Sequence, residues 1–96
     1  MASVRNTNIN DILTIKKVAQ IYGHHPQIRF LTNHSNHPDS RYPKIQNPND
    51  ILKPGTQLKV ISKGKAQTKY SESYVTVKHM KQEFDIFASD MRRFCK

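Results

Sequence analysis

The chain has a single cysteine, Cys95, one residue from its end, so no intrachain disulfide can brace the fold. It has no tryptophan, only three glycines, and seven acidic residues against sixteen basic ones. Long apolar runs are also missing. No segment approaches the roughly 20 residues needed to span a bilayer, which argues against a membrane protein. The start, Met-Ala-Ser-Val-Arg-Asn-Thr-Asn, lacks the roughly 7–15-residue apolar stretch of a secretory signal, so synthesis in the cytoplasm without a signal peptide is expected. With 96 residues, 35% of them hydrophobic, the core must be small. A water-excluding pocket holding a nucleophile, a base and a stabilising group is hard to build at that size, so the chain reads as a non-enzyme needing no cofactor. Cys95 has basic neighbours in Arg92, Arg93 and Lys96 but no evident partner histidine.

What is present is positive charge, +9 in total and unevenly spread. Residues 1–50 carry 6 basic and 3 acidic side chains, and residues 51–96 carry 10 and 4. Such a field draws anionic partners of many kinds. Residues 1–10, with only Val4 and Ile9 as apolar anchors, suggest a frayed start and one edge strand. From Thr14 to Gly23, Ile15, Val18, Ala19 and Tyr22 follow the i, i+3, i+4, i+7 spacing of one helical face, with Asp11 or Thr14 as cap and Gly23 past the end. Pro26 suits the first turn of a second, short helix that would bury Ile28, Phe30 and Leu31. Residues 33–48, dense in Asn, His, Pro, Asp and Ser, read as a surface loop. Pro54-Gly55 marks a turn, and Leu58 and Val60 alternate with Lys59 as in a half-buried strand.

Residues 62–74 have the polarity of a basic linker. Beyond it, Val77, Met80, Phe84, Phe87, Met91 and Phe94 recur in steps of three and four, the seam of an amphipathic helix over 75–96. Exposed on an isolated helix, that seam needs a covering surface, so it is expected to dock on a protein partner.

The run Thr14-Ile15-Lys16-Lys17-Val18-Ala19-Gln20-Ile21-Tyr22-Gly23 resembles the first helix of LysM domains. Asn47-Pro48-Asn49-Asp50-Ile51-Leu52-Lys53-Pro54-Gly55-Thr56-Gln57-Leu58-Lys59-Val60 resembles their closing segment. The resemblance implies an α+β fold, a small β-α-α-β LysM-like domain over 1–61, followed by the linker and the C-terminal helix. The family's Gly-Asp before the first helix is replaced here by Ile12-Leu13, and an insertion occupies the region around 33–44. A short single-module chain is also similar to the LysM adaptors of phage tails and contractile injection machines, of which tail protein X is the type. By that analogy the leading expectation is a structural adaptor in a phage tail, baseplate or injection assembly, with protein partners in the virion or machine. The alternative is binding of peptidoglycan or chitin, for which the resemblance implies Asp11, Ile12, Leu13, Asn33, Asn47, Pro48, Asn49 and Ile51.

Two further readings come from the residues themselves. Lys59, Lys63, Lys65 and Lys69 interleave with Tyr70 and Tyr74, a pattern that tracks a phosphate backbone and stacks bases. Without a recognised nucleic-acid fold signature, a solvated basic linker is the preferred reading and nucleic acid ranks third. His24, His25, His34 and His37 lie close in sequence, but adjacent histidines diverge and Asp39 is the only nearby carboxylate, so no metal site is expected.

Overall fold

Buried and exposed side chains alternate along much of the chain, the two-residue period of a strand. The computed structural model describes residues 3–25, 27–43 and 47–96. They form seven strands and one helix: β1 (Ile12–Thr14), β2 (Ala19–His25), β3 (Ile28–Asn33), β4 (Ile51–Leu52), β5 (Gln57–Gly64), β6 (Tyr74–His79), β7 (Gln82–Phe87) and α1 (Ala88–Phe94). A 3-10 turn, Pro48–Asp50, precedes β4 and is capped by Asn47, whose side chain accepts from the Asn49 N–H at 3.0 Å.

The strands make one mixed sheet in the order β1-β5-β6-β7-β3-β2-β4. Every pairing is antiparallel except β3 with β7, which run parallel with Phe30 opposite Asp85. The two ends of this order are drawn together by the turn between β4 and β5. There the Gly55 N–H donates to Ile15 O at 2.7 Å and the Ile15 N–H donates to Thr56 O at 2.9 Å. The C-terminus ties the same place, with Lys96 N–H on Thr14 O at 2.9 Å and Lys16 N–H on Phe94 O at 2.7 Å. The sheet therefore curls around its inner face. That face buries Leu13, Ile21, Leu31, Leu58, Val60, Val75, Val77, Phe84 and Ile86, and α1 adds Met91 and Phe94. Burying each such side chain fully is worth about 1.5–3 kcal/mol, so the core stands in for the disulfides the chain lacks.

Local chemistry explains two close approaches. Gly23, at φ 153, sits where a Cβ would collide with the carbonyl of Ile28, so only glycine lets β2 and β3 meet there. Gly64 lies beneath the Tyr74 ring, whose place a Cβ would occupy.

The expected β-α-α-β fold is overturned, since both expected helices are strands. Ile15 and Ala19 are buried as expected of a helical face, but Val18 is 44% exposed and Tyr22 points to the outer face. Ladder hydrogen bonds to β3 decide the matter, because a short apolar run fits both periods and pairing overrides local spacing. In the segment expected as a second helix, Leu31 is core, Phe30 lies outward and Ile28 is 47% exposed. The Pro26 expected to open that helix lies outside the described residues.

The separate linker and docking helix are corrected too. Residues 62–64 belong to β5, residues 65–73 fold back on the sheet, and β6 and β7 sit in its middle between β5 and β3. The three-and-four stepping arose from a hairpin, in which Val77 and Phe84 are direct cross-strand partners, followed by a real helix carrying Met91 and Phe94. The Pro54-Gly55 turn and the Leu58/Val60 strand stand as read.

Candidate binding face

With the aliphatic residues turned inward, alternation puts a different set on the outer face. The registers align Tyr22 on β2, Phe30 on β3, Asp85 on β7, Thr76 on β6 and Ser62 on β5 as one row across five strands. One step further along, Phe87 faces Tyr74. Two loops then lie over this surface, each contributing a tyrosine. The segment after β3 sets Tyr42 against Tyr22, with ring centres 4.3 Å apart, and against Phe30 at 5.6 Å. The loop after β5 sets Tyr70 against Phe87 at 4.6 Å and Tyr74 at 5.0 Å. Phe30 and Phe87, 5.5 Å apart, join the halves. The resulting band contains all four tyrosines of the chain, and each of its rings is part-exposed. Edge-to-face and tilted contacts of this kind hold rings in fixed orientations, each worth about 0.5–1.5 kcal/mol beyond burial.

Asp85 anchors the band. It is 2% exposed and its two carboxylate oxygens accept from Lys69 Nζ at 2.8 Å, the Tyr70 hydroxyl at 2.8 Å and Thr76 Oγ1 at 2.6 Å. Three donors for one buried carboxylate is the arrangement that makes burying the charge tolerable. Burial first, then the hydrogen bond and charge of Asp85, push the Tyr70 hydroxyl above its ordinary value, so it stays a proton donor. The carboxylate is thereby committed to holding the loop, and Tyr70 is no base. Beside it opens a cleft of about 530 Å³ lined by Ile28, Arg29, Lys69, Thr76, Glu83 and Asp85.

Cations flank the rings. Lys69 Nζ stands 5.4 Å from the centre of the Tyr70 ring, within cation–π range. Lys59 and Lys78, paired across β5 and β6, are exposed one step along the outer face from Ser62 and Thr76. Lys65 follows Gly64, on which Tyr74 rests, and is exposed, whereas Lys63 pairs with the buried Val75 and so lies on the other face of the sheet.

No family model, curated protein or solved structure matches the chain. The LysM resemblance thus stands on the residues quoted for it, and those residues form strands and turns here.

The glycan-site residues do not share one groove. Asp11, Ile12 and Leu13 border a cleft with Ser3, Asn6, Thr7 and Lys96, Asn49 borders one with Met80, Lys81 and Gln82, and Asn33 borders a third with Lys17 and Arg93. Leu13 is core, Asn47 and Pro48 close the 3-10 turn, and Ile51 is half-buried on β4. Of the expected docking seam, Val77, Phe84, Met91 and Phe94 are buried in this chain's own core, Phe87 belongs to the aromatic band and Met80 is exposed at the hairpin tip. Of the histidines, the His24 side chain lies outside the described residues, and among those described no three His, Cys, Asp or Glu converge on a common point. The basic-aromatic set fares differently, because Lys69, Tyr70 and Tyr74 are brought together with each other and with four further rings, Tyr22, Phe30, Tyr42 and Phe87. Tyr22, Phe30 and Phe87 carry a signal in being aromatic, but helical spacing places Tyr22 and Phe30 on core-facing helix faces and Phe87 on the docking seam.

Proposed function

We propose that the protein is a non-catalytic module that binds single-stranded nucleic acid across the outer face of its sheet. The observation that carries this reading is the six-ring band with lysines along it. Unpaired bases present flat apolar faces at regular intervals along a chain of negative charges. Aromatic side chains stack the former at about 1–3 kcal/mol per base, and lysines neutralise the latter. The formal charge of +9 supplies the long-range attraction. A tail adaptor would have docked through the 77–94 seam, of which four side chains are taken by the core. A glycan binder would need one groove, and its residues are divided among three clefts and the core.

The test is fluorescence anisotropy of a labelled oligothymidine of about 10 nucleotides, comparable to the footprint of sheet-based single-strand binders. Wild type is compared with Tyr42→Leu and Phe87→Leu, which keep apolar volume but remove the flat ring. Each variant should weaken binding about 5- to 100-fold, the range corresponding to loss of one stacked base, with the folded signal retained. Affinity should also fall steeply with salt. Equal binding by wild type and both folded variants would overturn the reading.

A further inference from the structure

A second site lies where α1 meets the starts and ends of β2 and β3. Lys17 and Val18 precede β2, Asn33 ends β3, His37 comes from the following loop, and Arg93 and Phe94 come from α1. Together they line a cavity of about 340 Å³, at the small end of the range for ligand pockets, about 300–1,000 Å³.

Three features of its lining point the same way. Lys17 and Arg93 are exposed and form no ion pair among the described residues, and no carboxylate borders the cavity. Asp39, itself open to solvent, has its Oδ2 3.9 Å from His37 Nδ1, and Asp90, three residues before Arg93 on α1, interacts with Arg93. Asn33 is only 8% exposed, yet its amide makes no hydrogen bond among the described residues. Among the described residues the buried side-chain atoms left without a partner are on Gln20, Ser35 and Gln82, so the Asn33 amide keeps contact with solvent, and the cavity is the side from which a ligand could reach it. Val18, 44% exposed, and Phe94 add apolar surface to the lining, and the Arg93 guanidinium lies 5.9 Å from the Phe94 ring centre.

We infer that this cavity is a phosphate-group site. Arg93 and Lys17 pair the phosphate oxygens, with the planar guanidinium suited to a two-oxygen grip. The Asn33 amide donates a further hydrogen bond, His37 stands at the rim, and the apolar surface takes the sugar or other organic part of a phosphate monoester. The ligand chemistry is a terminal phosphate, from a free small molecule or from the phosphorylated end of a nucleic acid strand. None of the six lining residues belongs to the aromatic band, so this site stands or falls apart from the proposed base-stacking face.

The test is an NMR titration of the full chain with inorganic phosphate, a nucleoside 5′-monophosphate, the matching nucleoside, and sodium chloride at equal ionic strength. Saturable shifts of the Asn33 side-chain amide and Arg93 Nε with both phosphates, but not with the nucleoside or the salt, are expected. Tighter binding of the monophosphate than of inorganic phosphate would show that the apolar surface contributes. Arg93→Gln should weaken phosphate binding at least about tenfold, as loss of a charge-assisted hydrogen bond implies, while leaving oligothymidine without a terminal phosphate bound as before. A 5′-phosphorylated oligothymidine should then lose its advantage over the unphosphorylated strand in that variant, which identifies the strand end as the source. Shifts spread over all the lysines and arginines alike, or phosphate affinity unchanged in a folded Arg93→Gln protein, would overturn the inference.

Discussion

Single carboxylates set much of this molecule's behaviour, because there are only seven acidic side chains to balance sixteen basic ones. Asp85 spends its charge on three donors that all reach it from the outer face. Asp85→Ala leaves Lys69, Tyr70 and Thr76 without their common acceptor and frees the loop that carries Tyr70. Breaking such an anchor should cost about 2–4 kcal/mol in a urea denaturation experiment, the lower end reflecting that Lys69 can recover water. Asp90 behaves in the opposite sense. Burial raises its carboxyl from 3.8 to about 6, with Arg93 lowering it and Glu72 raising it. A carboxyl whose folded value lies above its unfolded one favours folding below the unfolded value, and that contribution is lost as pH rises through about 6. Asp90→Asn should therefore be more stable than wild type at pH 7 to 8, with the gap closing as pH falls from about 6 towards 4. Thermal melts at a series of pH values check this.

At the scale of elements, the hairpin of β6 and β7 shows why half of the fold was illegible. Its two-residue turn is Met80-Lys81, with Met80 left-handed at φ 57. Asn-Gly or Asp-Gly at that point would have announced a hairpin, whereas Met-Lys is silent. Without a turn signal, Val77, Met80, Phe84 and Phe87 extend unbroken into the helical spacing of Met91 and Phe94. Where punctuation existed, at Pro54-Gly55, the strand that follows was readable. Since Met80 is 70% exposed, changing it loses little packing. Met80→Asn should stabilise the protein by up to about 1 kcal/mol by relieving the left-handed backbone, measurable as a higher denaturant midpoint. α1 depends on another element for its start. Its N-cap, Phe87, offers no side-chain bond, and Glu72 from the preceding loop accepts from the Ser89 N–H at 3.1 Å and the Ser89 hydroxyl at 2.9 Å. That tie also fixes the loop bearing Lys69 and Tyr70.

For the whole molecule, the C-terminal segment is part of the core rather than an appendage. Met91 is fully buried, Phe94 is 3% exposed, and Cys95 pairs with Ile15 beyond β1. A chain ending at Phe87 should lose cooperative folding in circular dichroism, whereas a separable docking helix would leave the remainder folded. The candidate face was legible only in part for a related reason. Lys69, Tyr70 and Tyr74 are neighbours in sequence, but Tyr22, Phe30 and Tyr42 reach them only through the parallel pairing of β3 with β7, a contact between distant segments that no local pattern encodes. The absence of tryptophan gives this face its own reporter, because all four tyrosines lie in it. The most direct measurement is intrinsic tyrosine emission during titration with oligothymidine. Saturable quenching that follows the anisotropy curve is the result expected of bases stacking on the band. Binding with tyrosine emission unchanged would place the strand elsewhere on the positive surface and contradict the account.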